Sequence, residues 1–276
     1  MTRLHELRRG HLRFDVHDDG PPNGPAVVLL HGFPQDGTSW DRVLPLLHAG
    51  GLRTLVLDQR GYSPGARPRS RAAYRLDHLT ADVLALLDAA GLPDAHLVGH
   101  DWGGGVVWSA AATAPDRVRS ATIVSTPHPR AIRAAMLRSD QARRSSYGLF
   151  FQLPLLPEAV LRRRLPHALQ RTGLPSHDAL RYTDRARQPG ALRAKLNWYR
   201  AIPLSRTPVT DVRVPTTLVW GKDDAFLGRH AAEATREHVH APYRFVEVDG
   251  GHWLPETHPG AVAEAVLERV DDPAAT

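Results

Sequence analysis

The chain alternates between short apolar runs and segments in which apolar residues recur at helical spacing. Six short runs are rich in β-branched residues and leucine: residues 26–30, 54–58, 95–99, 121–125, 216–220 and 244–248. Runs of this kind are typical of strands buried on both faces, and such strands belong to mostly parallel sheets. Ahead of them, residues 4–20 contain two short runs around Gly10, which predict an antiparallel pair at the edge of the sheet.

One helix can be placed between two of these runs. Between residues 79 and 90, apolar side chains recur at the spacing that lines one helix face. Asp77 is the predicted N-cap of this helix, and Gly91 is its predicted C-cap. Strand, helix and strand together form a βαβ unit. We therefore predict an α/β fold, with a doubly wound, mostly parallel sheet.

The alternation is interrupted once, between residues 127 and 214. This segment has no strand-like run, although a crossover between parallel strands needs only about a dozen residues. It contains helical patterns broken by prolines, so we predict an inserted helical cap, or lid. Ligands of open α/β sheets bind at the carboxyl ends of the strands, and we expect the cap to cover that edge. Residues 1–126 and 215–276 are expected to form the core.

The composition is that of a folded globular chain, because 42% of its 276 residues are hydrophobic and 23% are charged. The lack of cysteine excludes disulfides, thiolate metal sites and a cysteine nucleophile. The net charge of +6 reflects scattered arginines, and the dense block at 162–164 is interpreted as a solvated helix face, so no nucleic-acid partner is predicted. No apolar run is long enough for a bilayer span or a signal peptide. We expect no membrane partner and a cytoplasmic location.

Candidate chemistry begins at residues 97–105, which read LVGHDWGGG. Glycines surround Asp101 directly after a predicted buried strand and before a helix rich in small residues. This is the context of a nucleophile elbow, a strained strand-to-helix turn that exposes one side chain, with a carboxylate in place of the usual serine. The alternative is that Asp101 only caps the helix that follows.

Two later strand ends supply a carboxylate and a histidine. Asp223 and Asp224 follow the run at 216–220, and His252 follows the run at 244–248. The ends of parallel strands meet at one edge of a sheet, so these residues are expected to lie near Asp101. Their chain order, nucleophile then acid then base, is typical of one catalytic arrangement.

These motifs give the chain a family resemblance over nearly its full length. Besides the Asp101 elbow and the predicted cap, the segments HGFP at 31–34, DQRGYSPG at 58–65 and GHW at 251–253 contribute to it. The chain resembles the α/β-hydrolases of the epoxide hydrolase and haloalkane dehalogenase group. The resemblance implies that Asp101 is the nucleophile and His252 the base. The family pattern W-G-x-x-D selects Asp224 as the acid that orients the base.

The same resemblance implies a covalent mechanism. A carboxylate is ionised at neutral pH and can displace a leaving group at an sp³ carbon. Attack by Asp101 on an epoxide or a carbon–halogen bond would give an alkyl ester, which water activated by His252 would hydrolyse. The oxyanion hole then serves this ester, with the backbone N–H groups of Phe33 and Trp102 as the implied donors. A cis bond is expected between Phe33 and Pro34.

The leaving group separates the two branches of this family. An epoxide oxygen needs a proton donor, and Tyr147 and Tyr199 resemble the paired cap tyrosines of epoxide hydrolases. Core packing is the alternative interpretation of both rings. Haloalkane dehalogenases usually have Asn where this chain has Phe33. The expected reaction is therefore hydrolysis of an epoxide to a vicinal diol. The alternatives are a haloalkane dehalogenase-type hydrolase and a non-catalytic ligand-binding protein.

The expected partners are a small-molecule epoxide and water, and a homodimer is left open. The chain has 16 histidines, but none forms a His-x-x-x-His or His–carboxylate pair at ligand spacing in the predicted strand-end loops. The glycines near Asp101 do not follow a G-x-G-x-x-G pattern. Neither a metal nor a cofactor is therefore predicted.

Overall fold

The computed structural model describes residues 3–205 and 208–272, which form one mixed sheet covered by helices. Its strands are β1 (Glu6–Arg9), β2 (Leu12–Asp19), β3 (Ala26–Leu30), β4 (Arg53–Leu57), β5 (Ala95–His100), β6 (Val118–Val124), β7 (Thr216–Gly221) and β8 (Tyr243–Val248). They lie in the order β1-β2-β4-β3-β5-β6-β7-β8. The pairs β1–β2 and β2–β4 are antiparallel, and all other pairs are parallel. The predicted α/β fold, with its antiparallel edge, is confirmed.

Helices cover both faces of this sheet. They are α1 (Leu44–Ala49), α2 (Leu76–Ala89), α3 (Trp102–Thr113), α4 (Pro129–Arg138), α5 (Gln141–Arg144), α6 (Tyr147–Phe150), α7 (Leu156–Arg171), α8 (Ser176–Arg187), α9 (Ala191–Ala201), α10 (Arg229–Ala234), α11 (Leu254–Thr257) and α12 (Pro259–Val270). One apolar core includes α2, α3 and α10, and a second includes α1 and α12. In β3, Val28 and Leu30 face the first core, and Val27 and Leu29 face the second. Burial on both faces explains why this run is continuously apolar. The prediction of burial on both faces is wrong for the run at 244–248, because β8 lies at the edge of the sheet and is only partly buried.

The start of α2 corrects one prediction. The N-cap position is Arg75, which makes no side-chain capping bond, so Asp77 is not the N-cap. Asp77 instead lies in the first turn, where a carboxylate is stabilised by the helix dipole, and it accepts hydrogen bonds from Arg75. The predicted end is correct, because Gly91 follows the last turn with a φ of 68°, a conformation that favours glycine.

The strand register brings several strand ends to one edge of the sheet. Leu30 of β3 pairs with Gly99 of β5, and Gly221 of β7 pairs with Val248 of β8. Residues that follow β3, β5, β7 and β8 therefore share the carboxyl edge. All of the candidate residues taken from strand ends fall in these four loops.

Helices α4–α9 all lie between β6 and β7. Apolar side chains of α7, α8 and α9 form a third core that also includes Trp253 from the carboxyl edge. Residues 208–214 return to the sheet, where Val212 pairs with Val239 and joins the first core. The cap boundaries at 127 and 214 stay predictions. None of the helices within the described ranges combines the length and the apolar character that crossing a membrane would require.

Candidate active site

Asp101 stands at a sharp turn between β5 and α3. Its backbone has φ 49° and ψ −120°, a conformation that residues other than glycine rarely adopt. The Thr126 hydroxyl donates to the Asp101 carbonyl oxygen at 2.8 Å, and the Asp101 N–H donates to Val124 at 3.2 Å. α3 passes so close to β3 that a Cβ on Gly103 would overlap the Leu30 carbonyl oxygen. The side chain makes no capping bond to α3, so this turn has the geometry of an elbow rather than of a simple helix cap.

The Asp101 carboxylate is contacted from two sides. Its Oδ1 accepts a hydrogen bond of 2.7 Å from the Phe33 N–H, which belongs to the loop after β3, residues 31–36 (the Phe33 loop). Its Oδ2 lies 3.7 Å from His252 Nε2. The bond between Phe33 and Pro34 is cis, as the family resemblance implies. Trp102 is the first residue of α3, and the N–H groups of a first helical turn have no acceptor within the helix.

Asp224 holds His252 on the side away from Asp101. His252 Nδ1 lies 2.8 Å from Asp224 Oδ2. The other oxygen, Oδ1, accepts hydrogen bonds of 2.8 and 2.9 Å from the N–H groups of residues 226 and 227. His252 and Asp224 are both buried, whereas Asp223 is exposed. The structure therefore brings Asp101, His252 and Asp224 together and leaves Asp223 outside the site.

His252 and its neighbouring carboxylates shift one another's pKa values. Burial alone would lower the pKa of His252, but the Asp224 carboxylate and the contacts with Asp101 outweigh it and raise that pKa to about 10. Burial would raise the pKa of Asp101, but its contact with His252 holds that pKa below the usual value. At neutral pH the site therefore holds an imidazolium between two carboxylates. Neither this set nor any other among the described residues groups three His, Asp or Glu side chains in a way that could hold a metal ion.

A cavity of about 290 Å³ adjoins Asp101 and His252. Tyr147, at the start of α6, and Tyr199, on α9, both line it, with ring centroids 5.9 Å apart. Burial, reinforced by the charge of Asp101, raises the pKa of both phenols, so both are protonated at neutral pH. The rest of the lining is mostly apolar: Phe33, Phe150, Phe151, Leu161, Leu165, Ala168, Leu169, Thr172, Phe226 and Trp253.

A buried polar network lies behind the site. Gln35 Nε2 donates to Glu256 Oε1 at 2.7 Å, and Gln35 Oε1 accepts from a backbone N–H of the Phe33 loop at 3.0 Å. The Tyr182 hydroxyl of α8 donates to the same Glu256 oxygen at 2.8 Å. His100 bridges Gln35 Oε1 and the His252 carbonyl oxygen, at 2.8 and 2.9 Å. None of Gln35, Glu256 and Tyr182 is predicted from the sequence, where the only signal is that Gln35 follows the HGFP segment.

Known proteins share this fold. The family model described as alpha/beta hydrolase fold matches residues 25–259. The AB hydrolase superfamily protein YfhM of Bacillus subtilis is 36% identical over 262 residues, covering 90% of this chain and 91% of that protein. Epoxide hydrolase A of Mycobacterium tuberculosis is 33% identical over 306 aligned positions, covering 93% of this chain and 94% of the relative. The crystal structure of epoxide hydrolase A from Mycobacterium thermoresistibile is 27% identical, with a TM-score of 0.83 and coverage of 96% of this chain and 97% of that one. This chain belongs to the α/β-hydrolase family, in the group that contains these epoxide hydrolases.

Proposed function

We propose that the protein hydrolyses epoxides to vicinal diols through an alkyl ester on Asp101. The observation that carries this proposal is an ionised carboxylate at a strained turn, with the Phe33 N–H at 2.7 Å from one oxygen and His252 at 3.7 Å from the other. Two protonated phenols, Tyr147 and Tyr199, line the same cavity. Relatives that are named epoxide hydrolases support the same reaction.

In the first step, Asp101 Oδ2 attacks a ring carbon of the epoxide and the ring C–O bond breaks. The electron pair of that bond goes to the epoxide oxygen, which takes a proton from Tyr147 or Tyr199. The products are a hydroxyalkyl ester of Asp101 and a tyrosinate. The carboxylate needs no base for this attack because it is already ionised. Asp101 Oδ1 stays at the Phe33 N–H and becomes the carbonyl oxygen of the ester.

Ester formation itself prepares His252 for the second step. It removes the charge of Asp101, which is one of the two carboxylates that raise the pKa of His252. The imidazolium can then give up its proton, which passes to the tyrosinate and restores the phenol. Neutral His252 takes a proton from water, and the hydroxide attacks the ester carbonyl carbon. The N–H groups of Phe33 and Trp102 stabilise the oxyanion, and its collapse releases the diol and the Asp101 carboxylate.

The lining of the cavity is mostly aromatic and aliphatic. We therefore expect a substrate with an apolar substituent beside the epoxide ring. Most of that lining, and both phenols, come from residues 127–214, which we propose as the cap. A haloalkane would not require the phenols, and a ligand-binding protein would not require the strained carboxylate beside His252. The cytoplasmic location and the homodimer stay predictions from the sequence.

A single turnover of styrene oxide in heavy-oxygen water tests the covalent mechanism. With enzyme in excess, we expect the heavy oxygen to enter the Asp101 carboxylate and the first diol to contain little of it, as measured by mass spectrometry of peptides and product. Asp101→Asn should form no ester, whereas Asp223→Asn, at the exposed neighbouring carboxylate, should behave like the wild type. Heavy oxygen in the first diol would mean that water attacks the epoxide directly. A wild type that forms no diol from styrene oxide or from a panel of other epoxides would refute the proposed function.

A further inference from the structure

Lys195 is a buried ammonium that the reaction above does not use. It lies on α9, only 1% exposed, and its Nζ donates to the carbonyl oxygens of Pro34 at 2.7 Å and Gln35 at 3.1 Å. Nζ also lies 4.1 Å from the centre of the Tyr62 ring, within the range of a cation–π contact. A buried cation is costly unless polar partners compensate for its lost hydration. A position needed only for packing would therefore favour an apolar side chain.

The partners of Lys195 place it between two parts of the site. Pro34 and Gln35 directly follow Phe33, whose N–H contacts the Asp101 carboxylate. Tyr199 is four residues further along α9, so it lies on the same face of the helix as Lys195. Its ring packs against Phe33, with centroids 5.3 Å apart. The ammonium thus ties the helix that carries a phenol to the loop that carries an oxyanion-hole N–H.

A second contact anchors the same helix. Trp198 Nε1 donates to the carbonyl oxygen of Arg60, in the loop after β4, at 2.7 Å. Trp198 and Lys195 therefore fix α9 to the loops after two neighbouring strands, β4 and β3. Rotation or sliding of α9 would change the distance between the Tyr199 hydroxyl and the Asp101 carboxylate, and loss of either set of hydrogen bonds would allow that movement.

We propose that Lys195 is a positioning residue that sets the distance between the Tyr199 phenol and the oxyanion hole at Phe33, and that it does so in its protonated form. The inference rests on the proposed function, since it assigns a role in ester formation. Lys195 acts through the Pro34 and Gln35 carbonyls and does not touch the substrate. The ammonium can donate to both carbonyls while its third N–H faces the ring of Tyr62. The neutral amine must instead turn a lone pair towards one of these electron-rich groups.

Protonation of Lys195 changes close to neutral pH. Burial lowers the pKa of Lys195 to about 7, against the opposing carboxylates of Asp36 and Asp58. The groups that face it from the packed elements are His31, Asp36, Asp58, Tyr62, Arg67 and Arg185. Because the lowered pKa means that the amine is neutral above about pH 7, the rate of ester formation should fall as the pH rises through that value. His252, with a pKa of about 10, titrates in a separate range. Glu256, whose pKa is raised to about 7, also contacts Gln35 of this loop, so Glu256→Gln is a further control and should keep the decline.

Stopped-flow kinetics of ester formation with styrene oxide test this role. Lys195→Met, which keeps most of the side-chain volume, should form the ester roughly 10- to 100-fold more slowly and should lack the decline near pH 7. Lys222→Met is the matched control, because Lys222 is the only other lysine and is exposed, and it should match the wild type in rate and pH profile. A Lys195→Met enzyme with the wild-type rate and profile would overturn the inference. In that case diol formation by the wild type would leave the proposed function intact.

The chain offers a rescue experiment because it contains no cysteine. Lys195→Cys can be alkylated with 2-bromoethylamine while unfolded and then refolded, which restores a lysine-like amine of slightly lower basicity. The rate of ester formation should recover, and its decline with rising pH should begin at a lower pH than in the wild type. A purely structural role would not produce this change in the pH profile. If these variants do not fold, the two Cε signals of wild-type protein with ¹³C-labelled lysine, assigned with Lys222→Met, decide the question. Titration of the Lys195 signal together with the kinetic decline supports the inference, and titration in the ordinary lysine range overturns it.

Discussion

At the scale of single residues, the two oxygens of Asp101 have different neighbours and therefore different roles in the proposed mechanism. Oδ1 accepts the Phe33 N–H, and Oδ2 faces His252. The left-handed backbone at Asp101 costs on the order of 1–3 kcal/mol, and the hydrogen bond from Thr126 to its carbonyl oxygen helps to hold it. The Phe33 N–H orients the carboxylate, so in the proposed mechanism the ester would form with its carbonyl oxygen already at that N–H.

Replacement of His252 should separate the two chemical steps. His252→Gln removes the base for ester hydrolysis but leaves the Asp101 carboxylate, so we expect the ester to form and then to be hydrolysed about 10²- to 10⁴-fold more slowly. Intact-protein mass spectrometry should detect a stable adduct. An epoxide adds its entire mass, whereas a haloalkane adds only its alkyl part, so the gain also identifies the substrate class.

A matched substitution controls for the loss of a histidine. His11→Gln, in the exposed turn between β1 and β2, should turn over substrate at the wild-type rate without accumulating an adduct. A folded His252→Gln protein that never gains mass, with any substrate that the wild type converts, would contradict the covalent mechanism.

At the scale of elements, the inserted helices do more than cover the cavity. In α5, Gln141 accepts from the Gly228 N–H at 2.9 Å and donates to the Phe226 carbonyl at 2.8 Å, while Arg144 donates to the Asp224 carbonyl at 2.7 Å. α8 contacts Glu256 through its Tyr182 hydroxyl. α9 holds the Phe33 loop. Each of these three inserted helices therefore contacts a segment that carries, or closely follows, one member of the site.

Sequence patterns predict the strands better than these helices. The apolar run at 26–30 coincides with β3, because a strand that is buried on both faces needs apolar side chains at successive positions. The short helices α5 and α6 have no such pattern, since tertiary hydrogen bonds such as those of Gln141 decide where they lie. The elbow at Asp101 was predictable from its glycines and its neighbouring strand. The polar partners that hold it come from distant segments that no local pattern connects.

The phenols on α6 and α9 should act on the first step alone. If Tyr147 and Tyr199 both donate to the epoxide oxygen, each Tyr→Phe change should slow ester formation, and the double variant should be nearly inactive. A positioned general acid is worth about 10²- to 10⁴-fold in rate, and two groups that act on one atom give non-additive losses. Ester hydrolysis, which depends on His252 and Asp224, should keep its rate, as stopped-flow kinetics can measure.

Tyr243→Phe is the matched control for these phenols, because Tyr243 begins β8, at the opposite end of that strand from His252. It should leave both steps unchanged. If the double Phe variant opens epoxides at close to the wild-type rate, the two rings serve only in packing, and the assignment of an epoxide rather than a halide loses its main support in the site.

At the scale of the whole molecule, one buried network joins the sheet, the Phe33 loop and the inserted helices. Glu256 is its centre, with Gln35 and Tyr182 both donating to Oε1. Oε2 of Glu256 is buried and has no hydrogen-bond partner among the described residues. A buried, unpartnered carboxylate oxygen favours the protonated form. Accordingly, burial outweighs the hydrogen bonds from Gln35 and Tyr182 and raises the pKa of Glu256 from 4.5 to about 7.

The raised pKa of Glu256 makes the free energy of unfolding decrease as the pH rises. The folded state binds the Glu256 proton more tightly than the unfolded state, so the stabilisation is complete below pH 4.5 and is lost as the pH rises through about 7. The loss is on the order of 3 kcal/mol in the free energy of unfolding. Glu256→Gln keeps an acceptor oxygen for Gln35 and Tyr182 but cannot ionise, so its stability relative to the wild type should increase across this interval.

Urea unfolding of both proteins across the same pH interval measures the difference directly. Other titrating groups are common to the two proteins and cancel in the comparison. Glu264→Gln, on the exposed face of α12, is the matched control for the loss of a carboxyl group outside this network. A pH-independent difference for Glu256→Gln would mean that Glu256 has the same proton affinity in the folded and unfolded chains. The carboxylate would then be ionised in the fold at neutral pH, and its burial would not make the fold less stable as the pH rises.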